Sequence, residues 1–267
     1  MPACPRLEDA SPPPTPRPLQ RVTEAAVARF ARIATWARGV RPELWGFGLI
    51  ILVLNLRVLE GLPAPALAFQ PAAVRHGEWW RLFTYPFVHV TWYHLLLDGS
   101  AFLMLYHGLL ERRLACRLLY VVAAGAGSLG CAWITTDLAG GLCGLSGIAH
   151  GLMAISAIEL VAGHPPGSPE RRLGWWSFGI VVVKAGFEAL SGRMFFAFLD
   201  FGLLGNPIAV SHAGGVVGGL VAMMLLRSSW RSAGWARRFE VRPVGARSQG
   251  PRRNELMDCA SAGKRSP

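Results

Sequence analysis

Apolar residues in this chain gather into six stretches, each near the roughly 20 positions that a helix needs to cross a hydrocarbon core. They run from about Leu44 to Leu62, Tyr85 to Leu110, Leu114 to Thr136, Gly144 to Ala162, Leu173 to Leu190 and Pro207 to Leu226, marked off by charges, prolines and loops. The pattern predicts an all-α membrane protein, a bundle of six transmembrane helices over residues 44–226. Residues 1–43 form a basic, Pro-rich arm without an apolar h-region, so they do not read as a cleavable signal peptide. They read as a flexible cytosolic segment with an amphipathic helix from Arg21 to Arg38. Residues 227–267 read as a basic, disordered tail.

Composition agrees with a lipid solvent. At 52% hydrophobic and 16% charged residues, the chain is too apolar for an ordinary soluble protein of 267 residues. Its net charge of +11 belongs mostly to the two ends, where ten of the 27 Lys and Arg residues fall between Arg227 and Arg265 alone. Basic residues flanking apolar spans serve most simply as cytosolic anchors beside anionic lipid, so the bilayer, and not nucleic acid, is the expected partner. The five cysteines are scattered, odd in number and without CxxC spacing, which points to neither a disulfide framework nor a zinc site.

Charge placement also orients the bundle. Glu111-Arg112-Arg113 follows the second span and Glu170-Arg171-Arg172 precedes the fifth. Placing both loops in the cytosol puts both termini there as well and satisfies the positive-inside rule throughout. The start of the fourth span, and Ser146 with it, then faces the outer side.

Polar side chains inside these spans require an account, because lipid penalises them and they usually face a bundle interior. The second span holds His89, His94, Asp98 and His107; the fourth Ser146, His150 and Glu159; the fifth Lys184 and Glu188; the sixth Ser211 and His212. Lys184 and Glu188 share a helix face at i,i+4 and read as a mutually neutralising structural pair. His94 and Asp98 have the same spacing, which taken alone reads as a buried hydrogen bond fixing helix rotation. Counted down from the outer face, however, His94, Ser146 and His212 reach one layer. Glycines bring two of the three together. Gly147 and Gly151 form one GxxxG, and Gly215 and Gly219, three and seven residues after His212, form another on the histidine's own face. Such ridges let helix backbones approach closely in lipid, and this contact would carry His212 toward Ser146.

A serine hydroxyl is a weak nucleophile until a neighbouring base takes its proton, and an imidazole suits that task. Gly144-Leu145-Ser146-Gly147 resembles the GxSG of the rhomboid family of intramembrane serine proteases. His212 with Gly215 and Gly219 is similar to the family's sixth-helix histidine segment. His89 and His94 resemble its second-helix histidine pair, Trp80-Arg81 its first-loop Trp-Arg, and Glu111-Arg112-Arg113 its ExR. The resemblance covers most of the six-helix region. It implies an endopeptidase with a Ser146/His212 dyad and no third acidic member, in a water-filled cavity opening outward, cutting membrane-anchored proteins in or near a transmembrane segment. No cofactor or metal is implied. Backbone N–H groups near Ser146, together with His94, are the natural oxyanion donors, and Gly144 and Gly147 leave room for substrate backbone.

Two positions depart from the family's pattern. Asp98 stands where rhomboids have asparagine, and either a protonated carboxyl or a pairing with a histidine is open to it. His150 stands where many members have a tyrosine that packs on the catalytic histidine; a ring there can stack on His212 too. The segment from Gly144 to Gly151 is similar to the rhombosortase branch, associated with processing surface proteins that end in a Gly-Gly, transmembrane and basic signal. That branch implies a bacterial inner-membrane enzyme with its site on the periplasmic side. Three other readings compete: a noncatalytic rhomboid-like protein that binds membrane clients, a metal or haem protein using the histidines and Asp98, and a transporter. The chain has no HExxH, and no internal repeat of the kind transporters show.

Overall fold

The computed structural model describes residues 40–62, 64–196, 198 and 208–231, with the backbone alone for 227–231. Nearly all of the N-terminal arm, its expected helix at 21–38, most of the basic tail and most of segment 193–206 lie outside the described residues. Among the described residues the chain is all-helical, with nine α-helices, two 3-10 turns and no strand. The described helices belong to two compact units, one made of residues 40–108 with Gly141–Leu145, the other of Leu109–Gly140 and the described residues from Ser146 onward.

In the first unit, α1 (Pro42–Leu54) starts with a proline in its first turn and a favourable acidic residue, Glu43. The expected span to Leu62 is interrupted at Asn55. Its Nδ2 donates to the Ile51 carbonyl at 2.7 Å, occupying the acceptor its own N–H would use in a continuing helix, and that N–H turns to Leu52 instead. A four-residue turn, α2 (Leu56–Leu59), follows. The next loop contains a 3-10 turn at Pro65–Leu67, then α3 (Pro71–Arg75) and α4 (Arg81–Thr84). Arg81 holds it together, donating to the carbonyls of Pro65 and Ala68 at 2.6 Å each and to Glu78 at 2.7 Å. Trp80 adds a bond from Nε1 to the Ala66 carbonyl at 3.2 Å.

The second expected span begins later than its hydropathy suggests. Tyr85–Phe87 forms a 3-10 turn around Pro86 and Val88 is extended, so α5 (Trp92–Gly108) starts only where Thr91 Oγ1 accepts the His94 N–H at 3.1 Å. Phe47 of α1 meets Phe102 and Tyr106 of α5 edge-on at 5.1 Å each, which packs these two helices.

The second unit contains α6 (Leu114–Thr135), α7 (Ser146–Gly163), α8 (Pro169–Ser191) and α9 (Val210–Arg231). Small residues decide its packing. A Cβ at Gly214 or Gly218 would strike the carbonyl oxygens of Gly127 and Ala123 on α6, and one at Gly215 would strike that of Gly147 on α7. Two adjacent GxxxG ridges on α9 therefore seat it against two different helices. Glu159 of α7 is buried and accepts the N–H groups of Leu110 and Glu111 at 2.6 and 3.1 Å, tying down the chain ahead of α6. Helix α8 is capped by Ser168, whose hydroxyl accepts the Arg171 N–H at 3.2 Å.

Helices α6, α7 and α8 are long and apolar enough to cross a membrane; α1 and Val210–Leu226 are shorter apolar helices. Their outward surfaces are suited to lipid. Trp176, Val183 and Leu190 of α8 are 71%, 64% and 92% exposed, an apolar face that water would penalise.

Candidate active site

Ser146 opens α7 and His212 lies in the first turn of α9, two helices held at backbone contact by the glycines. The hydroxyl Oγ and the imidazole Nε2 are 3.1 Å apart, a hydrogen-bond distance. His212 is buried, at 4% exposure. Its other ring nitrogen, Nδ1, lies 2.6 Å from Oε2 of Glu188 on α8. A carboxylate can only accept, so Nδ1 carries the ring proton and Nε2 presents its lone pair to the serine.

Glu188 is fully buried and its acceptor capacity is filled. Lys184, one turn earlier on α8, donates to its two oxygens at 2.7 and 2.9 Å, and the Phe195 N–H donates at 3.0 Å. With the His212 bond, a buried carboxylate that would be costly alone becomes one member of a neutral, hydrogen-bonded ion pair. Lys184 uses its remaining proton on Nε2 of His150 at 2.9 Å. His150 Nδ1 donates to the Ser146 carbonyl one turn back at 2.7 Å, which fixes His150 as a neutral ring. That ring lies parallel to the His212 ring, centroids 4.1 Å apart and planes 11° apart.

The resemblance implied a histidine without an acidic partner, and Lys184/Glu188 read as a structural pair. The two residues do form an ion pair, but Glu188 also reaches His212. The i,i+4 spacing showed that they share a face of α8; what it left open was that this face meets α9. Donor atoms of His150, Glu188 and His212 all lie within 4.8 Å of one another, close enough to suggest a metal site. Lys184 Nζ already bonds His150 and both Glu188 oxygens, so the cation these groups hold is an ammonium.

Of the other residues singled out from the sequence, His89, His94, Asp98 and Gly144 fall in the first unit, whereas Glu159 and Ser211 fall in the second. His94 Nε2 is 3.0 Å from Asp98 Oδ2, and His89 Nε2 is 3.8 Å from the same oxygen. His89 is further held by Asn55, whose Oδ1 accepts the His89 N–H at 2.9 Å. Gly144 packs on the His94/Asp98 pair. Its φ of +106° is one that L side chains rarely adopt, and a Cβ would lie 2.9 Å from Asp98 Oδ2 and 3.0 Å from His94 Nε2. The Gly144 N–H donates to the Tyr85 carbonyl at 3.1 Å. Only glycine fits this turn, and Ser146 is two residues downstream. The neighbouring Cys143 thiol is pushed up to about 11, first by burial and then by the Asp98 carboxylate, which keeps it protonated. His107 is exposed at the end of α5 and joins neither group.

Asn55 and Ser128 were not picked out by sequence reasoning. Ser128 of α6 lies against Gly147, where a Cβ would overlap its hydroxyl. A polar residue with apolar neighbours on both sides was the available signal in each case.

A serine hydroxyl beside a buried imidazole, among helices apolar enough to cross a membrane, is the layout that a serine hydrolase working inside the bilayer would need. A rhomboid domain model matches residues 76–229, more than half of the chain, and the protein belongs to the rhomboid family of intramembrane serine proteases. No curated protein matches the chain.

Proposed function

We propose that this protein is an intramembrane serine endopeptidase in which Ser146 is the nucleophile and His212 the general base. The observation that carries this reading is the 3.1 Å contact between Ser146 Oγ and His212 Nε2 at the start of an apolar helix of a rhomboid domain. His212 takes the serine proton as Oγ attacks the scissile carbonyl, and the tetrahedral intermediate collapses as the imidazolium protonates the leaving amine. Water, activated by the same imidazole, then hydrolyses the acyl-enzyme. The first N–H groups of α7 have no acceptor within the helix and are the oxyanion donors of this scheme. His94 and Asp98 hold Gly144, two residues before Ser146 in the chain, and His150 supports the base by stacking on it.

The substrate class that follows is a membrane-anchored protein cut in or near its transmembrane segment. Six spans with both termini in the cytoplasm, and a site open to the periplasm of a bacterial inner membrane, fit the six apolar stretches and the basic loops. Gly144 to Gly151, with histidine at 150, favours the rhombosortase branch and hence substrates with C-terminal Gly-Gly sorting signals.

Covalent labelling of detergent-solubilised protein by a fluorophosphonate probe, alongside cleavage of a tethered transmembrane peptide, tests the reading. Wild type is expected to label and cut, whereas Ser146→Ala and His212→Ala do neither while inserting normally. Turnover by the Ser146→Ala protein, or a folded wild type that neither labels nor cuts, would remove the protease assignment and favour a noncatalytic client binder.

A further inference from the structure

Rhomboid chemistry is expected to run on two residues, yet here a carboxylate from a third helix reaches the base. We propose that Glu188 is a positioning residue for His212, converting the pair into a Ser146–His212–Glu188 triad, with Lys184 as the built-in counter-ion that makes a buried carboxylate tolerable there. The inference rests on the protease reading and deepens it.

Three observations carry it. The Glu188 Oε2 to His212 Nδ1 distance of 2.6 Å is that of a strong charge-assisted bond, at a carboxylate with no exposed surface. The donors are arranged so that no other tautomer of His212 satisfies the network. Glu188 Oε1 is taken by Lys184 and the Phe195 N–H, Oε2 by Lys184 and the imidazole, and all four donors require a carboxylate at the centre. Finally, Lys184, itself bonded to His150, already balances the charge of the acid, so His212 is not needed as its counter-ion and meets Glu188 as a neutral ring, the state a general base requires.

The chemical consequence is specific. During attack the serine proton moves to His212 Nε2, and the ring becomes an imidazolium with Nδ1–H still directed at Glu188. The carboxylate stabilises that cation without accepting its proton. Lys184 stays bonded to both oxygens and to His150, so His150 remains a neutral stacking surface rather than a competing base.

Glu188→Gln discriminates between a positioning and a structural role, because the side chain keeps its shape. With the amide NH2 at the Oε1 position it faces two donors, Lys184 and the Phe195 N–H. Turned the other way it donates to Nδ1, moves the ring proton to Nε2, and leaves His212 unable to accept from Ser146. Where a carboxylate orients a catalytic imidazole in serine hydrolases, the same replacement lowers kcat by about 10⁴. Here kcat is expected to fall by ~10²–10⁴ with KM within about threefold, and the fluorophosphonate labelling rate to fall in parallel. Helical content and thermal midpoint, measured on the same preparation, identify a variant that has simply misfolded.

A second measurement needs no variant at the acid. With 15N-labelled histidine, and His212→Ala for assignment, the ring of wild-type His212 is expected to be protonated at Nδ1. Protonation at Nε2 instead would overturn the inference whatever the variants do. A folded Glu188→Gln protein with wild-type kcat and labelling would also overturn it, while leaving the protease reading intact. If wild type neither labels nor cuts, the failure is that of the protease reading itself.

Discussion

Replacing Gly215 by alanine adds one methyl group where the structure has no room for it. The new Cβ would overlap the carbonyl oxygen of Gly147, a backbone atom that cannot rotate away, so α7 and α9 must move apart by roughly 1 Å or more to restore van der Waals contact. Overpacking of this kind costs about 1–3 kcal/mol, against a gain of up to ~1 kcal/mol from exchanging glycine for the best helix former. The net expectation is a loss of about 1–2 kcal/mol, or some 2–8 °C in thermal midpoint for a domain of this size.

The effect on function should exceed the effect on stability. Gly147 directly follows Ser146 and Gly215 lies one turn after His212, so separation at this contact stretches the 3.1 Å hydrogen bond between Oγ and Nε2 toward a distance at which it no longer exists. Misplacement by about 1 Å costs of the order of 10²-fold in rate. Thermal unfolding in detergent followed by tryptophan fluorescence, together with peptide cleavage, measures both quantities. Gly179→Ala on α8 is the control, because nothing lies within 4 Å of a Cβ there; it should be neutral or stabilising by up to ~1 kcal/mol. If Gly215→Ala matches wild type in midpoint and rate, the claim that backbone contact between α7 and α9 aligns the serine with its base is wrong.

Two further expectations concern the first unit. Asp98→Asn preserves shape and an oxygen to accept from His94, so activity should stay within about tenfold of wild type; complete loss in a cleavage assay would show that the charge is required. Cys143, with its thiol raised to about 11, should be ionised in only about one molecule in a thousand at pH 8. Peptide mapping after N-ethylmaleimide treatment should find it unmodified in the native protein and modified in denaturant, and rapid native labelling would contradict the burial that raises it.

What the sequence made legible was whatever lies along one helix or repeats at a fixed spacing. The apolar stretches announced the helices, and Gly215 and Gly219 announced a contact face because both lie on the histidine's side of α9. The interruption of the first stretch was hidden, since Asn55 breaks α1 through a side-chain bond to Ile51 that hydropathy does not register. The late start of α5 depended on Pro86 and on Thr91 acting as a cap, local chemistry easily overlooked inside an apolar run. His94 and Asp98 were legible as a pair, whereas the packing of Gly144 against them joins residues nearly fifty positions apart.

The partner of His212 shows the same limit most clearly. From sequence, Lys184 and Glu188 satisfied each other, and a pair that accounts for itself invites no further question. Counting hydrogen-bond capacity rather than charge removes that closure. An ammonium has three donors and a carboxylate about four acceptor sites, so a single ion pair in an apolar helix leaves several valences to be met by something else. Water meets them at a surface, but among packed helices protein groups must do so. Here they are His150, the Phe195 N–H and His212. An i,i+4 ion pair inside an apolar span is therefore incomplete as a structural explanation, and its unspent valences mark where neighbouring helices must bring polar groups. In this bundle those groups include the imidazole that faces the serine.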